Sequence, residues 1–174
     1  MPIHSETLEL NHPAPLTVLS DSAGVRHDLH DLLGANATVI LFLRGFWCGI
    51  CTTQLQQLQQ QHARLQHSGI NAVVIMTDKA ETVAGSLYAA PLPFPILIDA
   101  DRAATRAWGV LDPATTAPQS QSNVTRPATF VLDREGVIRY FHIGSGMLDR
   151  PSIAMVTQTA EQVAKADMFL ALAE

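Results

Sequence analysis

The chain has 174 residues and a formal net charge of −5, with 47% of its residues hydrophobic and 16% charged. Its basic residues are scattered, which excludes a nucleic-acid surface and electrostatic docking to a membrane, and no apolar run approaches the roughly 20 residues that span a bilayer. A chain of this length forms one core, so we expect a single domain covering residues 1–174.

The predicted strands are short segments rich in apolar and β-branched residues. Residues 37–43 ("ATVILFL") and 70–78 are apolar almost throughout, which is typical of strands buried on both faces of a sheet. Residues 16–29 predict an N-terminal strand–turn–strand hairpin. A short strand is predicted over residues 93–99, and residues 128–143 predict a second hairpin with a tight glycine turn.

A long helix is predicted to begin at the Cys-x-x-Cys and to end at Gly69. Apolar side chains recur at intervals of three and four from Cys51 to Leu65, which is the helical spacing. The other predicted helical segments are one turn at residues 30–34, residues 79–88, residues 101–109 and a terminal amphipathic helix over residues 150–173.

The order of these elements predicts the architecture. Neither a linker nor an internal repeat divides the chain, and the polar loop 111–127 has a length that is usually functional in a compact domain. Strands that alternate with helices, followed by a hairpin and a final helix, indicate a three-layer α/β/α sandwich. We expect a central mixed sheet, with the N-terminal hairpin added to it.

The two cysteines of the chain, Cys48 and Cys51, lie where the apolar strand 37–43 passes into the long helix. The positive end of the helix dipole and its unpaired N–H groups favour a thiolate there. Cys51 begins the apolar stripe and should lean inward, whereas Cys48 precedes the helix and should be more exposed. On periodicity alone, Cys48 attacks and Cys51 resolves.

Two other interpretations of the cysteine pair are weaker. A zinc site would need further ligands, but the seven histidines are dispersed and there is no second Cys-x-x-Cys. Inert core cysteines are disfavoured by the position between strand and helix.

The start of the chain, residues 1–10, has neither a basic segment nor an apolar signal core, so we expect a cytoplasmic protein.

The motif "FWCGIC", in which Trp47 precedes Cys48, resembles the Trp-Cys-x-x-Cys of thioredoxin-fold proteins. Three longer segments resemble the peroxiredoxin branch of that superfamily (alkyl hydroperoxide reductase/thiol-specific antioxidant). They are "HPAPLTVLSDSAGVRHDLHDLLGANATVILFLRG", "VVIMTDKAETVAGSLYAAPLPFPILIDADRAATRAWGV" and "RPATFVLDREGVIRY". The resemblance covers about residues 8–143 and implies a thioredoxin-like fold.

The resemblance assigns site residues with some departures. Peroxiredoxins carry Pro-x-x-x-Thr-x-x-Cys, with the peroxidatic cysteine last; here Arg44 stands for the proline, Cys48 for the threonine and Cys51 for that cysteine. The family's arginine that stabilises thiolate and peroxide is best matched by Arg126. The next residue, Pro127, matches the proline that faces the dithiol and is cis in thioredoxin-like proteins. This frame assigns the attack to Cys51, whereas periodicity assigns it to Cys48, so both remain open.

The Arg-Gly-x-Trp-Cys-x-x-Cys variant resembles the subgroup called peroxiredoxin-like. It implies an antioxidant enzyme that reduces peroxides through a reversible disulfide between Cys48 and Cys51. One alternative is a thiol–disulfide oxidoreductase acting on protein disulfides, and another is a non-catalytic binding module that senses redox state. We expect four further residues to shape the site: Arg44, Trp47, Gly49 and Pro127.

The sequence carries no flavin, nicotinamide or phosphate-binding glycine signature. We therefore expect no cofactor and no metal, and electrons that arrive through another thiol. The expected partners are a peroxide or disulfide substrate and a reductant that is either thioredoxin-like or a low-molecular-weight thiol. The related folds often dimerise, which implies a homodimer.

Overall fold

A computed structural model describes residues 8–15, 17–86, 92–112 and 125–171, with side chains as far as residue 166. Within these ranges, seven strands and four α-helices are formed. The strands are β1 (Val18–Ser20), β2 (Arg26–Asp28), β3 (Ala37–Leu43), β4 (Ile70–Met76), β5 (Ile96–Ile98), β6 (Ala128–Asp133) and β7 (Ile138–Ile143). The helices are α1 (Gly49–His67), α2 (Ala80–Ala84), α3 (Ala103–Ala107) and α4 (Ile153–Ala171), with a 3-10 turn at Leu29–Leu32.

The strands form one mixed sheet in the order β2-β1-β5-β4-β3-β6-β7. Strands β3, β4 and β5 run parallel, whereas β6 pairs antiparallel with β3 and β7 antiparallel with β6. The N-terminal hairpin of β1 and β2 joins the sheet through an antiparallel pairing of β1 with β5. The predicted mixed sheet with an N-terminal hairpin is confirmed.

Strand β3 is the centre of the core, and all seven of its residues are buried. Because side chains alternate across a strand, Leu41 and Leu43 pack with α1 and α4 on one face. Phe42 packs on the other face against Trp108, with ring centroids 5.4 Å apart. The indole of Trp108 donates a 2.9 Å hydrogen bond to Thr17, so its buried N–H is satisfied. Helices therefore cover both faces, which confirms the three layers.

Several predicted boundaries differ from the observed ones. Helix α2 is shorter than the predicted 79–88, and residues 87–91 lie outside the described residues. Helix α3 begins at Ala103, two residues later than predicted, and is closed by Gly109 at φ +60°, as predicted. The ends of the predicted loop 111–127 are joined by a bridge between Leu111 and Thr125, and residues 113–124 lie outside the described ranges. None of the described helices combines the length and apolar character that crossing a bilayer requires.

The register of the sheet brings two distant loops together. Phe42, near the end of β3, lies opposite Ala128 at the start of β6. Ala128 in turn lies opposite Ile143, the last residue of β7. The C-terminal ends of β3 and β7 therefore lie at the same end of the sheet. The segment that links β7 to α4, residues 144–152, consequently reaches the start of α1.

Candidate active site

The dithiol lies at the start of α1. Cys48 is the N-cap residue, with an extended backbone (φ −96°, ψ 107°), and its carbonyl accepts the first helical hydrogen bond from Thr52 at 3.1 Å. Cys51 lies in the first turn of the helix. Both cysteines are free thiols among the described residues. This places two sulfurs beside the positive end of a 19-residue helix.

The two thiols differ in exposure and in pKa. Cys48 retains 6% of its surface, whereas Cys51 is completely buried. Burial raises the pKa of the Cys51 thiol, and its hydrogen bond to Cys48 raises the pKa further. Burial also acts to raise the pKa of Cys48, but the thiol and backbone N–H of Cys51, together with nearby arginines, outweigh it and lower that pKa. The structure therefore favours the thiolate on Cys48.

A third residue, Arg150, lies against both sulfurs. Its Nη2 is 3.3 Å from the Cys51 sulfur and 4.0 Å from the Cys48 sulfur. Its Nη1 donates to the side-chain oxygen of Gln54, a buried residue one turn further along α1. The guanidinium thus favours the thiolate on either cysteine. Sequence reasoning missed Arg150 because about 100 residues separate it from the dithiol, and its only signal is an arginine next to the predicted terminal helix.

The segment that carries Arg150 is held by a small hydrogen-bond network. The Asp149 carboxylate accepts bonds from the Ser145 N–H (2.8 Å), the Ser145 hydroxyl (2.9 Å) and His142 (2.9 Å). The bonds from Ser145 and His142 lower the pKa of Asp149. Arg150 Nε donates to the Met147 carbonyl at 2.8 Å. The segment is therefore tied to itself and to the end of β7.

On the other side of the dithiol, Arg44 stacks on Trp47. Its guanidinium carbon is 4.9 Å from the indole centroid, and the indole is 58% exposed. The backbone N–H of Arg44 faces the Cys51 sulfur, while its guanidinium contributes to the lowered pKa of Cys48. Arg44 therefore lies beside the thiols.

Gly45 and Gly49 lie on either side of residues 46–48, between β3 and the first turn of α1, and they differ in the space available for a side chain. Gly45 has φ +149°, and a Cβ there would lie 2.4 Å from Trp47 Nε1 and 2.6 Å from Asp78 Oδ1. Asp78 also accepts a 2.7 Å hydrogen bond from the Phe46 N–H, and burial raises its pKa. By contrast, a Cβ on Gly49 would meet nothing within 4 Å. The tight packing that shapes this loop therefore involves Gly45 and not the predicted Gly49.

Arg126 and Pro127 lie at the start of β6, one strand away from the dithiol. Arg126 Nε donates to the Gly144 carbonyl at 2.9 Å, and the Pro127 carbonyl accepts from the Gly144 N–H at 2.8 Å. Within the described residues, Arg126 forms no hydrogen bond with either sulfur, and the position implied for it is taken by Arg150. The described part of the chain has no cis peptide bond, so Pro127 differs from the cis proline that the thioredoxin resemblance implied.

The chain is similar to known proteins over most of its length. A model of the AhpC/TSA family matches residues 10–141. A Mycobacterium tuberculosis protein that is named a peroxiredoxin is 32% identical over 125 residues, which cover 72% of this chain and 78% of the relative. The Bacillus subtilis thiol-disulfide oxidoreductase ResA is 27% identical over 134 residues, covering 76% of this chain and 66% of the relative.

The fold is shared with a solved structure. The crystal structure of peroxidoxin BcpB from Mycobacterium tuberculosis aligns with a TM-score of 0.75 at 18% sequence identity. The alignment covers 91% of this chain and 97% of that one. The similarity therefore extends over the sheet and the helices on both of its faces.

Proposed function

The chain belongs to the AhpC/TSA family, and from that premise we propose that it reduces peroxides through a disulfide formed between Cys48 and Cys51. The observation that carries this proposal is the pair of thiols at the start of α1, one with a lowered pKa and one with a raised pKa, beside Arg150. A thiolate next to a neutral thiol is the arrangement that a two-step oxidation needs.

In the first step the Cys48 thiolate attacks a peroxide oxygen. The O–O bond breaks, Cys48 becomes a sulfenic acid, and the leaving alkoxide or hydroxide takes a proton from water. Cys48 suits this role because it has the lower pKa and is the more exposed of the two sulfurs. Arg150 supplies positive charge where negative charge develops on the departing oxygen.

In the second step Cys51 attacks the Cys48 sulfenic acid. An S–S bond forms between them, and the thiol proton and the sulfenic hydroxyl leave together as water. The Cys51 thiol already donates to the Cys48 sulfur, so the two sulfurs are in reach before the reaction. Arg150, 3.3 Å from Cys51, favours the thiolate of Cys51 that makes this attack.

The peroxiredoxin frame assigns the first attack to Cys51 instead. That assignment requires a thiolate on a sulfur that is completely buried and whose pKa is raised by burial and by donation to Cys48. Within the described residues, Arg150 and the Arg44 backbone N–H act to lower the pKa of Cys51, and burial outweighs them. We therefore infer that Cys48 attacks and that Cys51 resolves.

A second candidate is a thiol–disulfide oxidoreductase that acts on protein disulfides. The exposed Trp47 beside Cys48 and the similarity to the relative ResA favour it. In that cycle Cys48 would attack the substrate disulfide and Cys51 would release it. In either cycle we propose that a thioredoxin-like protein or a small thiol is the reductant. The homodimer and the cytoplasmic location stay predictions.

The decisive experiment uses two variants, Cys48→Ser and Cys51→Ser. Each reduced protein is mixed with hydrogen peroxide and a dimedone-type probe, and the labelled residue is identified by mass spectrometry. We expect label on Cys48 in Cys51→Ser, little label on Cys51 in Cys48→Ser, and steady peroxide consumption by the unmodified protein with dithiothreitol.

Two other results would replace the proposal. Slow peroxide consumption together with fast, Cys48-dependent reduction of insulin would identify the oxidoreductase. A protein inactive in both assays that changes its oligomeric state on oxidation would indicate the redox sensor. Label on Cys51 alone would keep the peroxidase but exchange the roles of the two sulfurs.

A further inference from the structure

A cavity of about 420 Å³ is lined by Arg44, whose backbone N–H faces the Cys51 sulfur, and the proposed peroxide step does not use this cavity. We name it the arginine cavity, because Arg44 and Arg126 both line it. Pro127, Gly144 and Met147 also line it. A volume of this size is typical of small-molecule sites, which occupy roughly 300–1,000 Å³.

Two residues that line the arginine cavity also contact the dithiol or the arginine beside it. Arg44 lines the cavity, while its backbone N–H faces the Cys51 sulfur. Met147 lines the cavity, and its carbonyl accepts the 2.8 Å hydrogen bond from Arg150. The cavity therefore adjoins the two arginines beside the dithiol, Arg44 directly and Arg150 through Met147.

The charge of the cavity selects an anion. Within the described residues, neither Arg44 nor Arg126 forms an ion pair with a carboxylate. Asp112 also lines the cavity, so its lining contains two arginines and one aspartate. The planar guanidinium forms paired hydrogen bonds with carboxylates.

Resting on the proposed function, we propose that the arginine cavity binds the carboxylate of a small thiol that reduces the Cys48–Cys51 disulfide. The thiolate of this reductant attacks Cys48, since Cys48 is the more exposed sulfur. The Cys48–Cys51 bond breaks, a mixed disulfide forms on Cys48, and Cys51 leaves as a thiolate. A second thiolate attacks the sulfur of the bound thiol, and Cys48 is released. Two small thiols are oxidised to one disulfide.

The surroundings of Cys51 suit it as the leaving group. Two effects raise its pKa in the reduced protein, burial and the hydrogen bond to Cys48. In the mixed disulfide Cys48 no longer carries a thiolate, so the second effect is lost. Arg150 at 3.3 Å and the Arg44 backbone N–H remain and stabilise the departing thiolate.

The test measures reduction of the disulfide by two matched thiols, glutathione and its diethyl ester. The disulfide is first formed with diamide, the reduction is followed by alkylation of the released cysteines, and each rate is corrected for the thiolate fraction. We expect the protein to favour the acid about tenfold. Arg126→Gln should lower this ratio to near one, and Arg126→Lys should retain most of it.

The control is Arg26→Gln, on β2 at the opposite edge of the sheet. It removes the same charge and should keep the ratio of the unmodified protein. Equal rates with acid and ester, or a preference that survives in Arg126→Gln, would overturn the inference. A preference for the acid that appears only in the oxidation step would also overturn the inference, because the cavity would then bind the peroxide. A fatty-acid hydroperoxide and its methyl ester test that preference.

Failure of this inference can be told from failure of the proposed function. Dithiothreitol is a neutral thiol, so peroxide consumption with it does not depend on the cavity. If the protein consumes peroxide with dithiothreitol but reacts equally with acid and ester, only the cavity assignment is wrong. If it consumes no peroxide, the proposed function is wrong, and the diamide-based reduction assay still measures the carboxylate preference.

Discussion

The guanidinium of Arg150 lies 3.3 Å from the sulfur of Cys51, although 99 residues separate them in the chain. The same nitrogen is 4.0 Å from the Cys48 sulfur. One guanidinium can therefore stabilise a thiolate on either cysteine. The proposed cycle requires this, because the negative charge lies first on Cys48 and then on Cys51. This contact makes Arg150 a candidate catalytic residue.

Replacing Arg150 tests that role. We expect Arg150→Met to slow sulfenic acid formation by about a hundredfold or more, since removing one preorganised donor at developing charge costs about 10²–10³ in rate. The rate of peroxide-dependent oxidation in single turnover measures it. Arg150→Lys keeps the charge and should recover part of the rate. Equal rates in all three proteins would show that the arginine is only structural.

The lowered pKa of Cys48 predicts a pH profile. A thiol reacts as its thiolate, so the rate of alkylation by iodoacetamide should rise with pH and level off below the ordinary titration range of cysteine. The Cys51 thiol is one cause of the lowered pKa, so Cys51→Ala should move the profile to higher pH. A profile of Cys51→Ala that coincides with that of the unmodified protein would contradict this cause.

Asp149 positions Arg150 without touching either sulfur. Asp149→Asn weakens the bonds from Ser145 and His142 that hold the segment. We expect peroxide reduction to slow by about tenfold, because small displacements of a reacting constellation are costly. The pH profile of Cys48 should also shift upward as Arg150 loses its position. A normal rate with a normal pH profile would show that the segment keeps its shape without this carboxylate.

The loop between β3 and α1 should tolerate a side chain at one glycine and not at the other. Gly45→Ala forces a Cβ into Trp47 and Asp78 at a φ that other residues rarely adopt. We expect it to lower the free energy of unfolding by about 1–3 kcal/mol. The matched change, Gly49→Ala, meets nothing within 4 Å and should leave the free energy of unfolding almost unchanged. Denaturant unfolding followed by circular dichroism measures both.

The core of the fold could be predicted because its signals are local. A run of apolar residues at 37–43 requires a strand buried on both faces, and the structure buries all seven residues of β3. The helical spacing that begins at Cys51 likewise gave α1, with Cys48 at its cap. Boundaries were less accurate for α2 and for the start of α3, because helix ends fray.

The candidate site likewise has a part that local sequence predicts and a part that depends on tertiary contacts. The sequence alone determined that two cysteines stand at a strand-to-helix junction with Arg44 and Trp47 beside them, because neighbours in sequence are neighbours in space there. Only the tertiary structure decided that Arg150 and not Arg126 contacts the sulfurs, since that depends on the register that returns β7 to the end of β3. It also decided which thiol has the lowered pKa, because burial and charge depend on every element packed around the pair.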